Sequence, residues 1–482
     1  MKLSQLLAGV PVKEIINNDE NLEISSLTLS STECESGALF FAIRGGSHDG
    51  SNYISDVELN GAVAVVTECA LKCTLTQVIV PDVRASMALI ASNFNYNAHK
   101  ELKIIGITGT NGKTTVTKMI AEVLKASGKR VATIGTLGVF MNGVKTHSTL
   151  TTPDPIELHR IFQIALLSGI EYVVMEVSAH ALALRKLQGV HFEVVAFTNF
   201  TQDHLDFFGS MENYKSAKKL LFSKEYASFQ VINVDDPVGI ELIRETKVPF
   251  ATYGILNPSD VFAIDYETRS GTRAVINCFD DVFEIYTPFS GDFNLYNTLT
   301  AITVLRLLSI KSEQIVKAFF RMEEVEGRFN IIGSHKRVII DFAHTPDGLK
   351  NLLESARKLT DGRLIVVFGC GGNRDATKRR IMGRIAGELA DFTVITSDNP
   401  RDEEPLTIIK QIEEGHKEVS HDYISIIERA HAINYAVTTA STRDVVVIAG
   451  KGAEDYIEER GKKRPYSDKK EVLEVFRRWN YE

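Results

Sequence analysis

The chain has 482 residues, of which 44% are hydrophobic and 24% charged, a composition typical of a globular protein with about three domains. Its net charge of -8 lacks the basic excess that non-specific nucleic-acid binding requires, so we expect no DNA or RNA partner. The five cysteines form no CxxC pairs, which predicts a reducing compartment. The sequence shows no apolar run of roughly 18 residues and no signal-peptide pattern, so we expect a cytoplasmic location without membrane insertion.

The first part of the chain, residues 1–98, has short strand-like runs such as GAVAVV and QVIVPD and a glycine cluster, RGGSHDG. This pattern predicts a small α/β domain. From Leu102 onward, β-branched runs alternate with helical patterns, which indicates βαβ units around a mostly parallel sheet. The predicted strands of this middle part are 102–108, 130–136, 171–177, 192–199 and 229–234, and the predicted helices are 114–127, 156–168 and 212–222.

A second series of strands and helices begins near residue 337. Its strand-like runs are RVIIDFA, RLIVVFG, DFTVITS, DYISIIE and DVVVIAG. We therefore predict an α/β fold with three domains, residues 1–98, 99–333 and 334–482. Each strand is followed by polar or glycine-rich residues, and open α/β sheets bind their ligands at these strand ends, so function is expected there.

The segment IIGITGTNGKTTVTKMI, residues 104–120, predicts a phosphate-binding loop. Where strand 102–108 turns into a helix, bare backbone N–H groups, the positive helix end and one ammonium converge on a single point. The candidate residues are Gly109, Thr110, Asn111, Gly112, Lys113, Thr114 and Thr115. A threonine hydroxyl here can reach a phosphate-bound Mg²⁺. Ile107 stands where the full Walker A pattern has its first glycine, so this motif alone does not separate a kinase, a motor and a ligase.

Downstream of the loop, a carboxylate and an imidazole stand near neighbouring strand ends. Glu176 ends the strand EYVVMEVS, His204 lies in TNFTQDHLD, and Lys218 lies in the helical pattern NYKSAKKLLF. Such a pair suits a hard divalent cation. The spacing alone favours a metal site no more than an ordinary set of core or surface polar residues.

A series of motifs follows the order found in the Mur ligases: TGTNGKTT, MEVSAH, TNFTQDHLDFFGS, YKSAKKLLF, GDFNLYN, EGRF, DFAHTPDGL, GCGGNRD, SDNPRDEEP and GKGAEDY. The chain resembles this family over essentially its whole length, and most of all its members that add the third amino acid of the peptidoglycan stem peptide. The resemblance implies an N-terminal domain for the UDP end of the substrate, a central P-loop-type ATPase domain and a C-terminal Rossmann-like domain for the incoming amino acid.

The same resemblance implies a monomeric ATP-dependent ligase whose other substrates are UDP-N-acetylmuramoyl dipeptide and diaminopimelate. In this family ATP phosphorylates the D-glutamate side-chain carboxylate, and an amine then attacks the acyl phosphate. Lys113 is the implied phosphate clamp, and Glu176 with Thr114 or Thr115 is the implied site of one Mg²⁺. His204 is assigned to a second Mg²⁺. Lys218 is implied to be carbamylated and to bridge to the metal site.

The resemblance also assigns residues to the nucleotide and to the UDP substrate. Adenine is expected between Asn294, Asn297 and His344, and Arg328 and Asp341 approach the nucleotide from the third domain, so the site is expected to close when that domain moves inward. The UDP-sugar end is assigned to Ser30, His48, Asp49 and Gly50, and the muramoyl dipeptide to Thr151, Thr152 and Ser178. Relatives often have arginine where this chain has Lys186, which lacks the bidentate fork, and Arg185 is the candidate substitute.

The segment SDNPR is assigned to the incoming amino acid. The implied residues are Asp398, Asn399, Pro400 and Arg401, completed by Arg374, Gly450 and Glu454. Asn399 precedes a proline and so favours an extended backbone, and Arg401 can pair with a carboxylate. Because lysine lacks the second carboxylate of diaminopimelate, lysine would leave Arg401 unpaired, which favours diaminopimelate. L-Lysine remains the alternative, and Ala453 stands where relatives usually have histidine.

Three other functions are compatible with parts of this pattern. A folylpolyglutamate-type ligase is disfavoured by the HDG loop and DNPR together. A non-catalytic paralogue that binds nucleotide or UDP-sugars is disfavoured by the intact Lys113, Glu176, His204 and Lys218. A P-loop motor or switch would hydrolyse ATP without an amine, which separates it from a ligase by experiment.

Overall fold

The computed structural model describes residues 1–19, 21–45, 49–146, 150–333 and 336–479. Within these ranges the chain forms sheets of five, eleven and six strands and a two-stranded ribbon. The three-domain α/β architecture predicted from the sequence is confirmed. Across the described ranges, no helix combines the length and the apolar character needed to cross a membrane.

The N-terminal sheet has the strand order β1-β5-β4-β3-β2, and its strands are parallel except for β1. The strands are β1 (Glu14–Ile16), β2 (Ser26–Thr28), β3 (Ala38–Phe41), β4 (Ala64–Thr67) and β5 (Thr76–Ile79). The helices are α1 (Leu3–Leu6), α2 (Ile54–Leu59), α3 (Val83–Phe94) and the 3-10 helices Gly50–Tyr53 and Ala98–Glu101. Strands β3, β4 and β5 are buried on both faces, as their uninterrupted apolar runs require.

The central sheet places β6 between β10 and β11, in the order β16-β15-β14-β13-β12-β11-β6-β10-β7-β8-β9. The strands are β6 (Lys103–Thr108), β7 (Val131–Gly135), β8 (Gly138–Met141), β9 (Val144–Thr146), β10 (Tyr172–Glu176), β11 (Phe192–Phe197), β12 (Ala227–Asn233), β13 (Phe250–Gly254), β14 (Val261–Glu267), β15 (Thr272–Cys278) and β16 (Asp281–Thr287). Its middle strands are parallel, and β8, β9, β15 and β16 extend its two ends in antiparallel fashion.

Helices cover both faces of the central sheet. They are α4 (Lys113–Ala126), α5 (Pro155–Leu167), α6 (Ala179–Ala183), α7 (Leu205–Phe208), α8 (Met211–Lys219), α9 (Pro237–Glu245), α10 (Asp292–Leu307), α11 (Ser312–Phe320) and the 3-10 helix Leu220–Phe222. One apolar core joins α4, α10 and α11 to the sheet, and a second core joins α5 and α6 to the opposite face. The C-terminal ends of β6, β10 and β11 therefore open between two packed layers, where parallel α/β sheets bind ligands.

The C-terminal sheet has the order β17-β18-β22-β19-β20-β21 and is parallel except for β17. Its strands are β17 (Asn330–Ile332), β18 (Arg337–Asp341), β19 (Leu364–Phe368), β20 (Phe392–Ile395), β21 (Tyr423–Ser425) and β22 (Val445–Ala449), and the ribbon is β23 (Tyr456–Glu459) with β24 (Lys462–Pro465). The helices are α12 (Pro346–Lys358), α13 (Thr377–Leu389), α14 (Pro405–Lys417), α15 (Arg429–Thr439) and α16 (Asp468–Trp479).

The C-terminal domain contacts the segment after β11 and the start of α10. Gln202 Nε2 donates to Asp375 Oδ2 at 3.3 Å, and Lys358 Nζ is 2.7 Å from Asp292 Oδ2. Strand β17 already belongs to the third sheet although it precedes the boundary predicted at residue 333. The three domain limits stay predictions, while the contacts place two domains around one opening.

Candidate active site

The predicted phosphate-binding loop connects β6 to α4 with the bare backbone that the sequence predicts. Gly112 has φ +88° and stands at the N-terminal end of α4. A Cβ atom at Gly112 would lie 2.3 Å from Asn297 Oδ1, and one at Gly109 would lie 1.8 Å from Thr198 Oγ1. A side chain at either position would therefore displace a close neighbour, and with glycine there the first N–H groups of α4 stay open to an anion.

Lys113 folds back over this loop. Its Nζ donates to the carbonyl oxygens of Gly109 and Thr110, at 2.9 Å each. Burial lowers the pKa of Lys113, although the charges of Glu176 and Asp203 oppose that shift. The ammonium thus lies at the loop that the sequence assigns to phosphate, held by backbone carbonyls.

A carboxylate meets the start of α4 from the end of β10. Glu176 is 1% exposed, and its Oε1 accepts a bond from Thr114 Oγ1 at 2.9 Å and from Thr136 N at 3.0 Å. Arg328 Nη2, from the segment before the third sheet, donates to the same Thr114 hydroxyl at 3.0 Å. The structure therefore brings together the predicted Thr114, Glu176 and Arg328. Thr115 is also buried and lines the adjoining cleft.

His204 lies beside Asp203, which the sequence analysis did not single out. Asp203 is 5% exposed, and its Oδ2 is 3.3 Å from His204 Nε2 and 3.7 Å from His344 Nε2. Its Oδ1 is 3.7 Å from Nζ of Lys378, a residue of α13. Burial raises the pKa of Asp203, but the hydrogen bond and charge of His344, with Lys378 and His204, hold it well below its usual range. Burial lowers the pKa of His204 to about 3.

Lys218 is buried on α8, with 2% of its surface exposed. Its Nζ lies 4.7 Å from the centre of the Tyr214 ring. Burial lowers the pKa of Lys218 well below its usual range, and the nearby charge of Lys113 adds to the shift, while Asp203 and Asp236 oppose it. Within the described ranges, no three histidine, cysteine, aspartate or glutamate side chains converge as a metal site on their own.

A cleft of about 680 Å³ adjoins the phosphate loop, a volume that suits a nucleotide. Its walls include the predicted Asn111, Gly112, Thr115, Asn297, Arg328, Asp341 and His344. Asn294 instead lies behind Asn297, where its Nδ2 donates to Ser290 O. The imidazole of His344 faces Asp203, and its Nδ1 donates to Phe342 O at 2.9 Å. Asp341 accepts the backbone N–H groups of Phe329 and Ala343, so it shapes the loop beside the cleft.

Several wall residues of this cleft were missed by the sequence analysis. They include Asn199, Asp235, Phe293, Tyr296 and Asp347. Asn199 and Asp235 each follow a strand, β11 and β12, so a search of every strand end for polar residues would have found both. Asp347 Oδ2 accepts from Asn111 Nδ2 at 3.3 Å, a contact between two domains for which no local pattern exists.

The residues assigned to the UDP-substrate are divided between the N-terminal domain and the edge of β10. Asp49 Oδ1 accepts from Ser51 N, and Gly50 lies where a Cβ would be 2.9 Å from Ile43 N. Ser30 Oγ is 2.9 Å from Thr32 Oγ1 and is partly exposed. The predicted contact at His48 lies outside the described residues.

Thr152 links the residues predicted to contact the dipeptide to the backbone of Glu176. Its Oγ1 donates to the backbone oxygen of Glu176 at 2.9 Å and accepts from Ser178 N at 3.1 Å. Thr151 Oγ1 is 3.2 Å from Thr136 Oγ1 on the same side. The predicted positions Thr151, Thr152 and Ser178 are thus one hydrogen-bonded group.

Arg185 pairs with a carboxylate of the N-terminal domain, and its role as a substitute for an arginine at position 186 stays a prediction. Its Nε is 3.0 Å from Asp82 Oδ2, at the start of α3 in the N-terminal domain. Lys186 is 8% exposed, and its Nζ is 2.7 Å from Asp154 Oδ1. The two side chains therefore have separate carboxylate partners.

The SDNPR segment meets the GKGAED segment in the C-terminal domain. Asn399 Nδ2 donates to Glu454 Oε2 at 3.0 Å, and Lys451, which is fully buried, donates to Asn399 Oδ1 at 3.0 Å and Glu454 Oε2 at 2.8 Å. A Cβ at Gly450 would lie 2.7 Å from Asp398 Oδ2. The predicted Asp398, Asn399, Gly450 and Glu454 are therefore one cluster, and Lys451 is the member that sequence analysis missed.

Two arginines border this cluster at Gly371. A Cβ at Gly371 would lie 2.9 Å from Arg401 Nη1 and 3.8 Å from Arg374 Cγ. The carbonyl of Pro400 closely approaches Gly372, which leaves no room for a side chain there. Arg374 is exposed, whereas Arg401 already pairs with Glu458, whose Oε2 is 3.2 Å from its Nε.

Comparison with known proteins gives a consistent result. Residues 23–109 match the catalytic domain of the Mur ligase family, residues 107–305 the Mur ligase middle domain and residues 327–452 the glutamate ligase domain of Mur ligases. UDP-N-acetylmuramoyl-L-alanyl-D-glutamate--2,6-diaminopimelate ligase from Caldanaerobacter subterraneus is 41% identical over 480 residues, covering 98% of this chain and 99% of the relative. The Bacillus licheniformis protein of that name is 38% identical over 489 residues, with 98% and 100% covered.

A solved structure of a ligase with the same name superposes on the chain with a TM-score of 0.69 at 29% identity, covering 97% of this chain and 98% of the other. The three matched domains follow each other in the order of the three sheets. The resemblance seen in the sequence motifs is thus supported along nearly the whole length, and the chain belongs to the Mur ligase family.

Proposed function

We propose that this protein is an ATP-dependent ligase that joins meso-diaminopimelate to the D-glutamate side-chain carboxylate of UDP-N-acetylmuramoyl-L-alanyl-D-glutamate, a step of peptidoglycan precursor synthesis. The observation that carries the proposal is the meeting of Lys113, Thr114 and Glu176 with Arg328 at one opening. The relatives' names support the choice of substrates.

The chemistry requires a poor electrophile to be activated. A carboxylate has no good leaving group, so a carboxylate oxygen attacks the γ-phosphorus of ATP and ADP leaves. The amine then attacks the acyl carbon, the C–O bond breaks, and phosphate departs with that oxygen. Two anions must approach each other in the first step, and Lys113, Arg328 and the N–H groups of α4 supply the opposing charge.

The donor set fits Mg²⁺, which would supply further positive charge between triphosphate and carboxylate. Thr114 and Glu176 offer hard oxygen ligands at the end of the phosphate loop. His204 would face a second ion from beside Asp203. Because protein side chains alone do not complete a site in the described ranges, phosphate oxygens and water are the expected remaining ligands.

Lys218 has the properties that carbamylation requires. Only a neutral amine adds CO₂, and burial next to Lys113 favours the neutral form. The carbamate is an anion, so it would remove the repulsion between Lys218 and a nearby cation. The depressed pKa and the burial of Nζ beside Tyr214 both support this modification.

The third domain would deliver the amine. Glu454 offers a carboxylate to an ammonium, and the arginines at Gly371 offer donors to carboxylates. Contacts such as Asn111 with Asp347 join this domain to the phosphate loop, so closure limits the access of water to the acyl phosphate. The cytoplasmic location and the monomeric state stay predictions.

The test supplies ATP, Mg²⁺ and UDP-muramoyl dipeptide, screens amino acids one at a time, and measures product mass and ADP release. We expect a product with diaminopimelate and ADP release that depends on the amine. Lys113→Met should abolish both, while Lys125→Met, at the exposed end of α4, should leave both unchanged. ATP hydrolysis at the same rate with no amine present would refute the ligase proposal.

A further inference from the structure

Arg401, the residue expected to meet the second carboxylate of diaminopimelate, already has a carboxylate partner. Glu458, on the ribbon strand β23, places Oε2 3.2 Å from Arg401 Nε. Arg401 Nη1 donates to Gly372 O at 2.8 Å. The two side chains are only 21% and 26% exposed, so the pair is largely removed from water. The Glu458 carboxylate therefore competes with a substrate carboxylate for the Arg401 guanidinium.

The backbone holds this pair in register. Arg401 N donates to Glu458 O at 3.1 Å, and Arg460 N donates to Arg401 O at 2.8 Å. Glu458 N donates to Asn399 Oδ1 at 3.0 Å, which connects the ribbon to the cluster that Asn399 forms with Lys451 and Glu454. Arg401 itself has φ +51°, a conformation that a non-glycine residue keeps only when neighbours fix it. The ion pair is thus built into the fold and does not depend on two mobile side chains meeting at the surface.

The pair changes the energetics of choosing between two amino acids. An arginine shielded from water discriminates against a ligand without a carboxylate because that ligand leaves the arginine unpaired. Here Glu458 satisfies Arg401 whichever amino acid is bound. The nearby charge of Glu454 is likewise balanced, by Lys451 at 2.8 Å. When a diamino acid with a single carboxylate, such as lysine, is bound, both the Arg401 guanidinium and the Glu454 carboxylate therefore still have a charged partner.

We propose that Glu458 is a specificity-determining residue that weakens the preference of the site for diaminopimelate over lysine, an inference that rests on the proposed ligase function. Glu458 lowers the advantage of the second substrate carboxylate in two ways. It repels that carboxylate, and it removes the penalty for its absence. Loss of the Glu458 charge then leaves Arg401 with an unmatched positive charge that a second carboxylate satisfies and lysine does not.

The experiment compares the wild type with Glu458→Gln, which keeps the size of the side chain and removes its charge. Affinities for meso-diaminopimelate and L-lysine are measured by calorimetry on the full chain with UDP-muramoyl dipeptide and a non-hydrolysable ATP analogue. The ratio of kcat/KM for the two amino acids is measured by ADP release. Glu459→Gln is the matched control, because it makes the same charge change on an exposed neighbouring residue.

The expected result is a rise of about tenfold in the diaminopimelate-to-lysine ratio, in both binding and kcat/KM, for Glu458→Gln and no change for Glu459→Gln. An unchanged or lower ratio in Glu458→Gln, or an equal rise in Glu459→Gln, overturns the inference. If Glu458→Gln does not fold, Glu458→Ala is held to the same expectation. If the wild type binds the amino acids but ligates neither, the proposed function is refuted, and the ratio of the two affinities still decides the role of Glu458. If the wild type binds neither amino acid, the proposed function and the role of Glu458 are both overturned.

Discussion

Replacement of Gly112 by alanine should disable the phosphate loop by a steric clash that the structure defines. The added Cβ would stand 2.3 Å from Asn297 Oδ1, against 3.4 Å for an ordinary contact. Either the loop or the Asn297 side chain must therefore move by about 1 Å, and a misplacement of about 1 Å can lower a rate about a hundredfold. The positive φ of +88° adds about 1–2 kcal/mol of backbone strain.

Gly128 offers a control that separates these two effects. It follows the same helix at φ +81°, and a Cβ there meets nothing within 4 Å. Gly128→Ala should therefore show the backbone strain alone, as a lower thermal midpoint with normal activity. We expect Gly112→Ala to lose nucleotide affinity in calorimetry and about a hundredfold in amine-dependent ADP release. Nucleotide affinity and ADP release within threefold of those of Gly128→Ala would refute the reasoning.

Three further changes test other parts of the site and the fold. Arg328→Met removes the bond to Thr114 Oγ1, and kcat/KM for ATP should fall at least about tenfold in an ADP-release assay. Lys218→Ala should lower amide formation, unrestored by high bicarbonate, and should remove the carbamate signal from ¹³C spectra of protein kept in labelled bicarbonate. Burial lowers the pKa of His159 from 6.5 to about 3. Between these two pH values the unfolded chain binds a proton at His159 that the folded chain does not bind, so the free energy of unfolding falls as the pH drops below 6.5. His159→Phe should flatten this decline by about 1.4 kcal/mol per pH unit, seen in thermal midpoints between pH 6.5 and 4.

Each of these changes has a matched control. Arg321→Met alters an exposed arginine at the end of α11, Lys219→Ala alters the next residue on α8, which pairs with Glu241, and His191→Phe alters an exposed histidine. All three controls should behave as the wild type. Unchanged ATP kinetics in Arg328→Met, full amide formation in Lys218→Ala or an unaltered pH slope in His159→Phe would contradict the role assigned to that residue.

Strands with continuous apolar runs were predicted to within a few residues. The run at 102–108 is β6 at Lys103–Thr108, and the predicted helix 114–127 is α4 at Lys113–Ala126. Such strands are buried on both faces, and their short, β-branched apolar runs favour that environment. The phosphate loop was equally predictable from the sequence, because its conformation depends on glycines and a helix start within a few consecutive residues.

Features that depend on distant partners were not predictable in this way. Strand β14 leaves most of its residues exposed or half-buried, which is a weak strand signal. Strand β23 pairs with β24 and bridges to Arg401, which lies more than 50 positions earlier in the chain. Asp203 becomes a centre of the site only because His344 and Lys378 arrive from another domain. Arg401 and Glu458 are 57 positions apart, so the sequence alone did not indicate their ion pair, and Arg401 was predicted to bind a substrate carboxylate.

We propose that the phosphate loop and the third domain serve one reaction, in which the D-glutamate carboxylate is phosphorylated before the amine attacks. UDP-muramoyl dipeptide labelled with ¹⁸O in that carboxylate tests it directly, because the departing phosphate must carry one carboxylate oxygen. In the presence of ATP, Mg²⁺ and diaminopimelate, we expect released phosphate with one ¹⁸O per molecule of amide formed. Amide formation with unlabelled phosphate would contradict it.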